Sequence, residues 1–178
     1  LKLKVLGGGS NMIVQPQVNG LVLQSAMQGI KKLAEDDATV TYAVDAGLNW
    51  HQWVLQSIEL GAYGIENLAL IPGTVGACPI QNIGAYGVEI KDVFESLQAV
   101  DLQTGEIVTF HHADCQFGYR DSVFKRAAKD RYFITEVRLR LSKQPCYNLN
   151  YYALKDKLSD VDSEQLSLQA VSRAVIEI

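Results

Sequence analysis

The sequence predicts an α+β fold, and three patterns in its 178 residues point to it. Residues 50–60 repeat apolar side chains at helical spacing: Trp50, Trp53, Val54, then Ser57 and Ile58. Residues 96–101 and 106–111 flank a turn-forming LQTG and read as two antiparallel strands. Residues 132–141 alternate. Phe133, Thr135, Val137, Leu139 and Leu141 face one way, and Glu136, Arg138 and Arg140 the other, as in a half-buried strand.

The totals narrow the classes. At 48% hydrophobic and 20% charged, the chain is long enough and apolar enough for one domain or two small subdomains with a real core. Twenty acidic against 16 basic residues leave a net charge of −4, which supplies no attraction to nucleic acid or to an anionic membrane. No apolar run approaches the ~20 residues of a membrane span. Cys78, Cys115 and Cys146 are three, widely spaced and without a CxxC, which predicts reduced thiols in a cytoplasmic setting rather than a disulfide framework or a metal site. The abrupt opening in LKLKVL and the unterminated helical pattern over 163–178 read as a fragment of a longer protein.

Taken in order, residues 2–6 form a strand, Gly7-Gly8-Gly9-Ser10-Asn11 a turn, and residues 12–14 a second short strand. The dinucleotide fingerprint G-x-G-x-x-G opening a helix is excluded, because its third glycine position is Met12 and no helix follows. Three glycines still expose backbone N–H groups, so the turn is either an anion nest for a pyrophosphate or a plain hairpin. Residues 20–24 and 40–44 are strands, with 29–37 a polar connection between them. Asn49 caps the helix of residues 50–60, with Gln52 at the capping-box position, and Gly61 ends it. His51 beside the apolar face reads as a helix residue rather than a ligand. Residues 66–70 and 113–115 form short helical turns. His111 and His112 point to opposite faces of a strand, so one metal does not take both. A helical stretch over 153–158 follows a tyrosine-rich loop, and Asp162 with Gln165 forms a capping box for the final helix.

Two stretches are unusual. Residues 71–87, IPGTVGACPIQNIGAYG, hold two prolines and four glycines and no charge, a density that neither a helix interior nor a central strand tolerates. Such a loop is either an irregular core-crossing connection or a surface for close backbone approach to a flat or phosphorylated molecule. Residues 117–125, FGYRDSVFK, set Arg120 among Phe117, Tyr119 and Phe124. Arg120 is either half of a surface ion pair with Asp121 or a bidentate partner for a carboxylate or phosphate.

Together GGGSN, ENLALIPGTVGACPIQNIGAYG and FGYRDSVFK, in this order and spacing, resemble the UDP-N-acetylenolpyruvoylglucosamine reductase (MurB) family. The resemblance implies an FAD-binding fold of the vanillyl-alcohol-oxidase type, mostly its second FAD-binding subdomain. Residues 1–26 would be the tail of the first subdomain and 27–178 the second. It implies FAD as cofactor and NADPH as reductant, and reduction of UDP-N-acetylglucosamine enolpyruvate to UDP-N-acetylmuramate in peptidoglycan precursor synthesis. A monomer acting on a UDP-sugar follows, with no nucleic acid, membrane or metal.

The resemblance also assigns residues. Gly7, Gly8, Gly9, Ser10 and Asn11 would hold FAD from one side. Pro72, Gly73, Thr74, Gly76, Ile80, Gln81, Asn82, Ile83, Gly84, Ala85, Tyr86 and Gly87 would hold it from the other, with Gln81 and Asn82 offering side-chain hydrogen bonds. Arg120 matches the active-site arginine, which binds the substrate carboxylate and the charge that develops beside it. Tyr119 and Tyr151 would lie against substrate, although Tyr152-Ala153 departs from the Gly-Asp expected after Tyr151. The family's proton-donating serine, its assisting glutamate and a substrate-binding lysine match no position here. Two other readings follow: a flavin-binding or structural fragment without turnover, and another flavoprotein oxidoreductase of this fold, in which Cys78 could attach the flavin covalently.

Overall fold

A computed structural model describes residues 3–13, 16–162 and 165–178. Lys2, Val14 and Ser163, at the ends of three expected elements, lie outside the described residues. The central feature is a five-stranded antiparallel sheet. Its strands are β3 (Ile30–Glu35), β4 (Thr39–Asp45), β7 (Phe94–Asp101), β8 (Ile107–His111) and β9 (Tyr132–Ser142), in the order β3-β4-β9-β7-β8. Strand β9 is central, with Val44 opposite Val137 on one side and Leu97 opposite Val137 on the other. Val44, Leu97, Val137, Leu139 and Leu141 are all buried, as the alternation of β9 requires. Apart from it, β1 (Leu3–Leu6) and β2 (Leu21–Gln24) form a parallel pair. A short hairpin joins β5 (Gly84–Ala85) to β6 (Val88–Glu89).

Helix α1 (Trp50–Glu59) forms where the 3.6-residue pattern places it. The Asn49 side chain accepts from the Gln52 N–H (3.1 Å), and Gly61 takes a left-handed backbone just past the end. Trp50 and Trp53 fill the core. The Trp53 ring meets Tyr42 edge-on at 5.5 Å, and Trp50 Nε1 donates to the Leu68 carbonyl (2.9 Å). Helix α2 (His112–Cys115) follows β8, and helices α3 (Tyr152–Lys157) and α4 (Leu168–Glu177) close the chain, Leu154, Val171 and Val175 being buried.

Four expectations need correction. Residues 29–37 contain strand β3, paired with β4. Its side chains are mostly exposed because it is an edge strand, so no buried face marked it in the sequence. The glycine turn does not close a hairpin: Met12 and Ile13 have no strand partner, and β1 pairs in parallel with β2 instead. The alternation of β9 breaks at Thr135. Gln98 pairs with Glu136 and Ala99 with Ile134, so Thr135 bulges and Ile134, not Phe133, enters the core. The final helix is capped by Ser167, which accepts from the Ala170 N–H (3.1 Å), and not by Asp162 with Gln165.

Candidate functional site

A cleft of about 440 Å³ opens between three segments: residues 5–12, the loop of residues 71–83, and residues 124–134 running into β9. That size suits a small-molecule or cofactor site. The two glycine-rich segments face each other across one end. A Cβ on Gly8 would sit 3.1 Å from Gly73 Cα, so the two backbones approach as closely as the absence of side chains allows. A side chain reinforces this contact, Asn11 Nδ2 donating to Gln81 Oε1 (3.2 Å), while Gln24 Nε2 of β2 donates to the Gly7 carbonyl (3.0 Å).

Backbone hydrogen bonds tie the loop toward the sheet. The Ala46 N–H donates to the carbonyl of the bulged Thr135 (2.9 Å), and the Gly76 N–H donates to the Ala46 carbonyl (2.9 Å). The Val75 N–H reaches the Leu48 carbonyl (2.9 Å), and the Trp50 N–H reaches that of Gly73 (3.0 Å). A Cβ on Gly76 would lie 2.6 Å from Ala46 Cβ, so that glycine is set by packing. Among the described residues, the N–H groups of Gly8, Gly9, Ser10, Asn11, Gly73 and Thr74 donate to no protein acceptor. A row of free backbone donors beside a cleft is the equipment of an anion site.

The residues assigned by resemblance divide between two places. Gly7, Gly8, Gly9, Ser10, Asn11, Pro72, Gly73, Thr74, Gly76, Ile80, Gln81 and Ile83 line the cleft. Asn82, Gly84, Ala85, Tyr86 and Gly87 do not, and neither do Tyr119, Arg120 or Tyr151. Asn82 is fully buried. Its Nδ2 donates to the Gly118 carbonyl (2.9 Å) and its Oδ1 accepts from the Lys91 N–H (3.1 Å), so the side chain braces protein segments rather than facing the cleft.

This second place is built on the β5–β6 hairpin. Arg120 Nη2 donates to the Gly84 carbonyl and Nη1 to that of Asn82 (3.4 Å), with Glu89 Oε1 at 3.8 Å and the Tyr119 ring at 5.3 Å. A Cβ on Gly84 would fall 2.7 Å from Arg120 Nη1, so this glycine makes room for the guanidinium. Arg120 holds a left-handed backbone (φ 51°), and Lys125 Nζ donates to its carbonyl (2.7 Å). The Arg120–Asp121 pair does not form; Asp121 pairs with Arg126 (2.6 Å). Tyr86, at the turn of the hairpin, meets Tyr151 edge-on at 5.2 Å, and Tyr119 is strongly exposed.

The sequence reading missed the third wall. Lys125, Lys129, Asp130 and Tyr132 line the cleft, as do Phe133 and Ile134. Residues 124–130 precede β9, and the strand pattern carries no sign of the bulge that follows Ile134. His51 is a helix residue as read, its Nδ1 accepting from the Leu70 N–H (3.1 Å). Cys78 lines the cleft but is buried, and burial pushes its thiol well above the ordinary value, away from the reactive thiolate. Among the described residues, no group of three or more His, Cys, Asp or Glu could hold a metal ion.

Residues 1–111 match the FAD binding domain family. The chain belongs to that family. This FAD-binding domain is 51% identical, over all of its 178 residues and 52% of the relative's length, to a UDP-N-acetylenolpyruvoylglucosamine reductase of Amoebophilus asiaticus. The domain spans about half the length of the curated relatives it matches. Among solved structures it superposes on the MurB reductase from Thermus caldophilus with a TM-score of 0.64 at 21% identity, covering 99% of this chain and 54% of that one. A solvent-stable cholesterol oxidase gives 0.51 at 18%, covering 80% and 30%. The fold is the FAD-binding fold of the vanillyl-alcohol-oxidase type, as the resemblance implied.

Proposed function

We propose that this domain holds FAD in the cleft and is the flavin-binding part of an NADPH-driven reductase converting UDP-N-acetylglucosamine enolpyruvate to UDP-N-acetylmuramate. The observation that carries the proposal is the row of backbone N–H groups at Gly8–Asn11 and Gly73–Thr74 that have no protein acceptor among the described residues, where Gly8 and Gly73 meet. They would take the pyrophosphate, with Gln81 and Ile80 along the loop wall and Ile134 opposite. The flavin, when bound, supplies the two-electron chemistry. The protein's part is position and charge. Arg120, Tyr119 and Tyr151 would form the substrate side. Arg120 keeps donors beyond the two that bind Asn82 and Gly84, and a guanidinium held in place can take the substrate carboxylate and stabilise the enolate-like charge beside it. Such fixed charge is worth roughly 3–4 kcal/mol where water is excluded. The buried, proton-retaining Cys78 favours non-covalent flavin over attachment through sulfur.

In the same reading residues 1–26 belong to the first FAD subdomain and 27–178 to the second. The pairing of β1 with β2 in a sheet separate from the one that begins at Ile30 supports that division. The full-length protein would act as a cytoplasmic monomer without nucleic-acid or membrane partners, and among the described residues no helix is long and apolar enough to cross a membrane.

The experiment is visible absorption after incubation with FAD and desalting, on this chain and on the full-length protein. Both are expected to retain flavin. The full-length protein should bleach with NADPH under anaerobic conditions and regain colour on addition of the enolpyruvyl UDP-sugar. Flavin retained by neither protein would overturn the cofactor assignment. Colour that stays bleached would overturn the substrate assignment.

A further inference from the structure

The β5–β6 hairpin works on two sides. Its strands receive Arg120, and its turn receives the segment that carries Tyr151. The second connection is made by two amides. Asn67 is 1% exposed, and its Nδ2 donates to the Tyr86 carbonyl (3.0 Å) and, 81 residues along the chain from Asn67, to the Asn148 carbonyl (2.8 Å). Asn148 Nδ2 donates to the Gly87 carbonyl (2.9 Å), while its Oδ1 accepts from the Asn150 N–H (3.2 Å). The orientation of Asn67 follows from chemistry. Both neighbours are carbonyls, so only the NH2 can face them, and this leaves Oδ1 buried without a partner among the described residues. An arrangement that tolerates an orphaned acceptor to place two donors is built for those donors. Gly87 fits it closely: a Cβ there would meet the Asn148 amide at 3.2 Å.

We propose that Asn67 and Asn148 form an amide clamp that docks Tyr151 on Tyr86, and that they are positioning residues for UDP-sugar recognition. The proposal rests on the reading above that Tyr151 contacts substrate. Tyr147 anchors the near end of this segment, its ring edge-on to Tyr63 at 5.7 Å and its hydroxyl donating to the Leu166 carbonyl (3.4 Å). At the other end the Tyr86–Tyr151 ring pair is half exposed, and the three carbonyl contacts tie residue 148 to the hairpin, acting through Tyr151.

The test uses the full-length flavoprotein and three variants: Asn148→Ala, Tyr151→Ala and the double. Binding of UDP-N-acetylmuramate is measured by calorimetry, and backbone hydrogen exchange over residues 147–151 by mass spectrometry. Asn148→Ala should bind about fivefold more weakly, the order of one net hydrogen bond. It should also exchange faster over 147–151, and the double variant should bind no more weakly than Tyr151→Ala. Wild-type binding by Asn148→Ala, or losses that multiply in the double variant, would overturn the clamp. Wild-type binding by Tyr151→Ala would instead overturn the substrate role of Tyr151, and the function of the clamp with it. Asn67→Leu, similar in size but without donors, should speed exchange at residues 86–87 as well; unchanged exchange there would also overturn the clamp.

Discussion

Gly84→Ala is a one-carbon change aimed at Arg120. The new Cβ would lie 2.7 Å from Arg120 Nη1, 2.8 Å from the Val88 carbonyl oxygen and 2.9 Å from Glu89 Cγ. The first distance is roughly 0.7 Å inside ordinary van der Waals contact. The guanidinium is the mobile member of that contact and must retreat by about that amount, while the contact with Val88 O is backbone and strains the hairpin itself. Displacement near 1 Å in a catalytic group can cost about 100-fold. The expected result is a kcat lowered roughly 10- to 100-fold. Flavin should be retained in full, because Gly84 does not line the cleft. Arg120→Ala removes the charge entirely and should cost more, about 100- to 1000-fold. Because both substitutions act chiefly through one side chain, the double variant should be little slower than Arg120→Ala alone. Steady-state kinetics and flavin absorbance on the full-length protein decide it. Unchanged turnover in folded Gly84→Ala would refute the reasoning, as would multiplied effects in the double variant. Loss of flavin would make Gly84 a cofactor residue instead.

Three further outcomes are expected. Trp50→Phe should destabilise more than Trp53→Phe by about 1–3 kcal/mol in denaturant melts. Both rings are buried, but Trp50 Nε1 serves the Leu68 carbonyl whereas Trp53 Nε1 has no partner among the described residues; equal losses would contradict this. Burial pushes the Glu66 carboxyl above its ordinary value, only partly offset by the Gly64 N–H it accepts (2.7 Å). The folded state therefore holds that proton more tightly than the unfolded one, so its contribution is full at low pH and falls as pH rises from about 4.3 to the raised value. Glu66→Gln should remove that fall from a Tm-against-pH series; an identical slope would show that another group causes it. Finally, denaturation should release all bound flavin into the filtrate, and flavin that stays with the protein would revive attachment through Cys78.

The segments that line the cleft were legible in the chain because composition marks them. A loop with two prolines, four glycines and no charge can be neither helix nor central strand, and GGGSN exposes backbone wherever it lies. Helix α1 and strand β9 were legible because one buried face imposes a period on the residues that form it. Edge strand β3 was not, since its exposed side chains carry no such period. Tertiary structure alone decided which backbone faces which. The parallel pairing of β1 with β2 and the meeting of Gly8 with Gly73 join residues far apart in sequence through atoms that every residue shares. The bulge at Thr135 put Ile134 rather than Phe133 in the core, and the guanidinium of Arg120 claimed the space at Gly84. Amino-acid type determines what a position can do; contact between distant backbones, which no local pattern encodes, determined what these positions do.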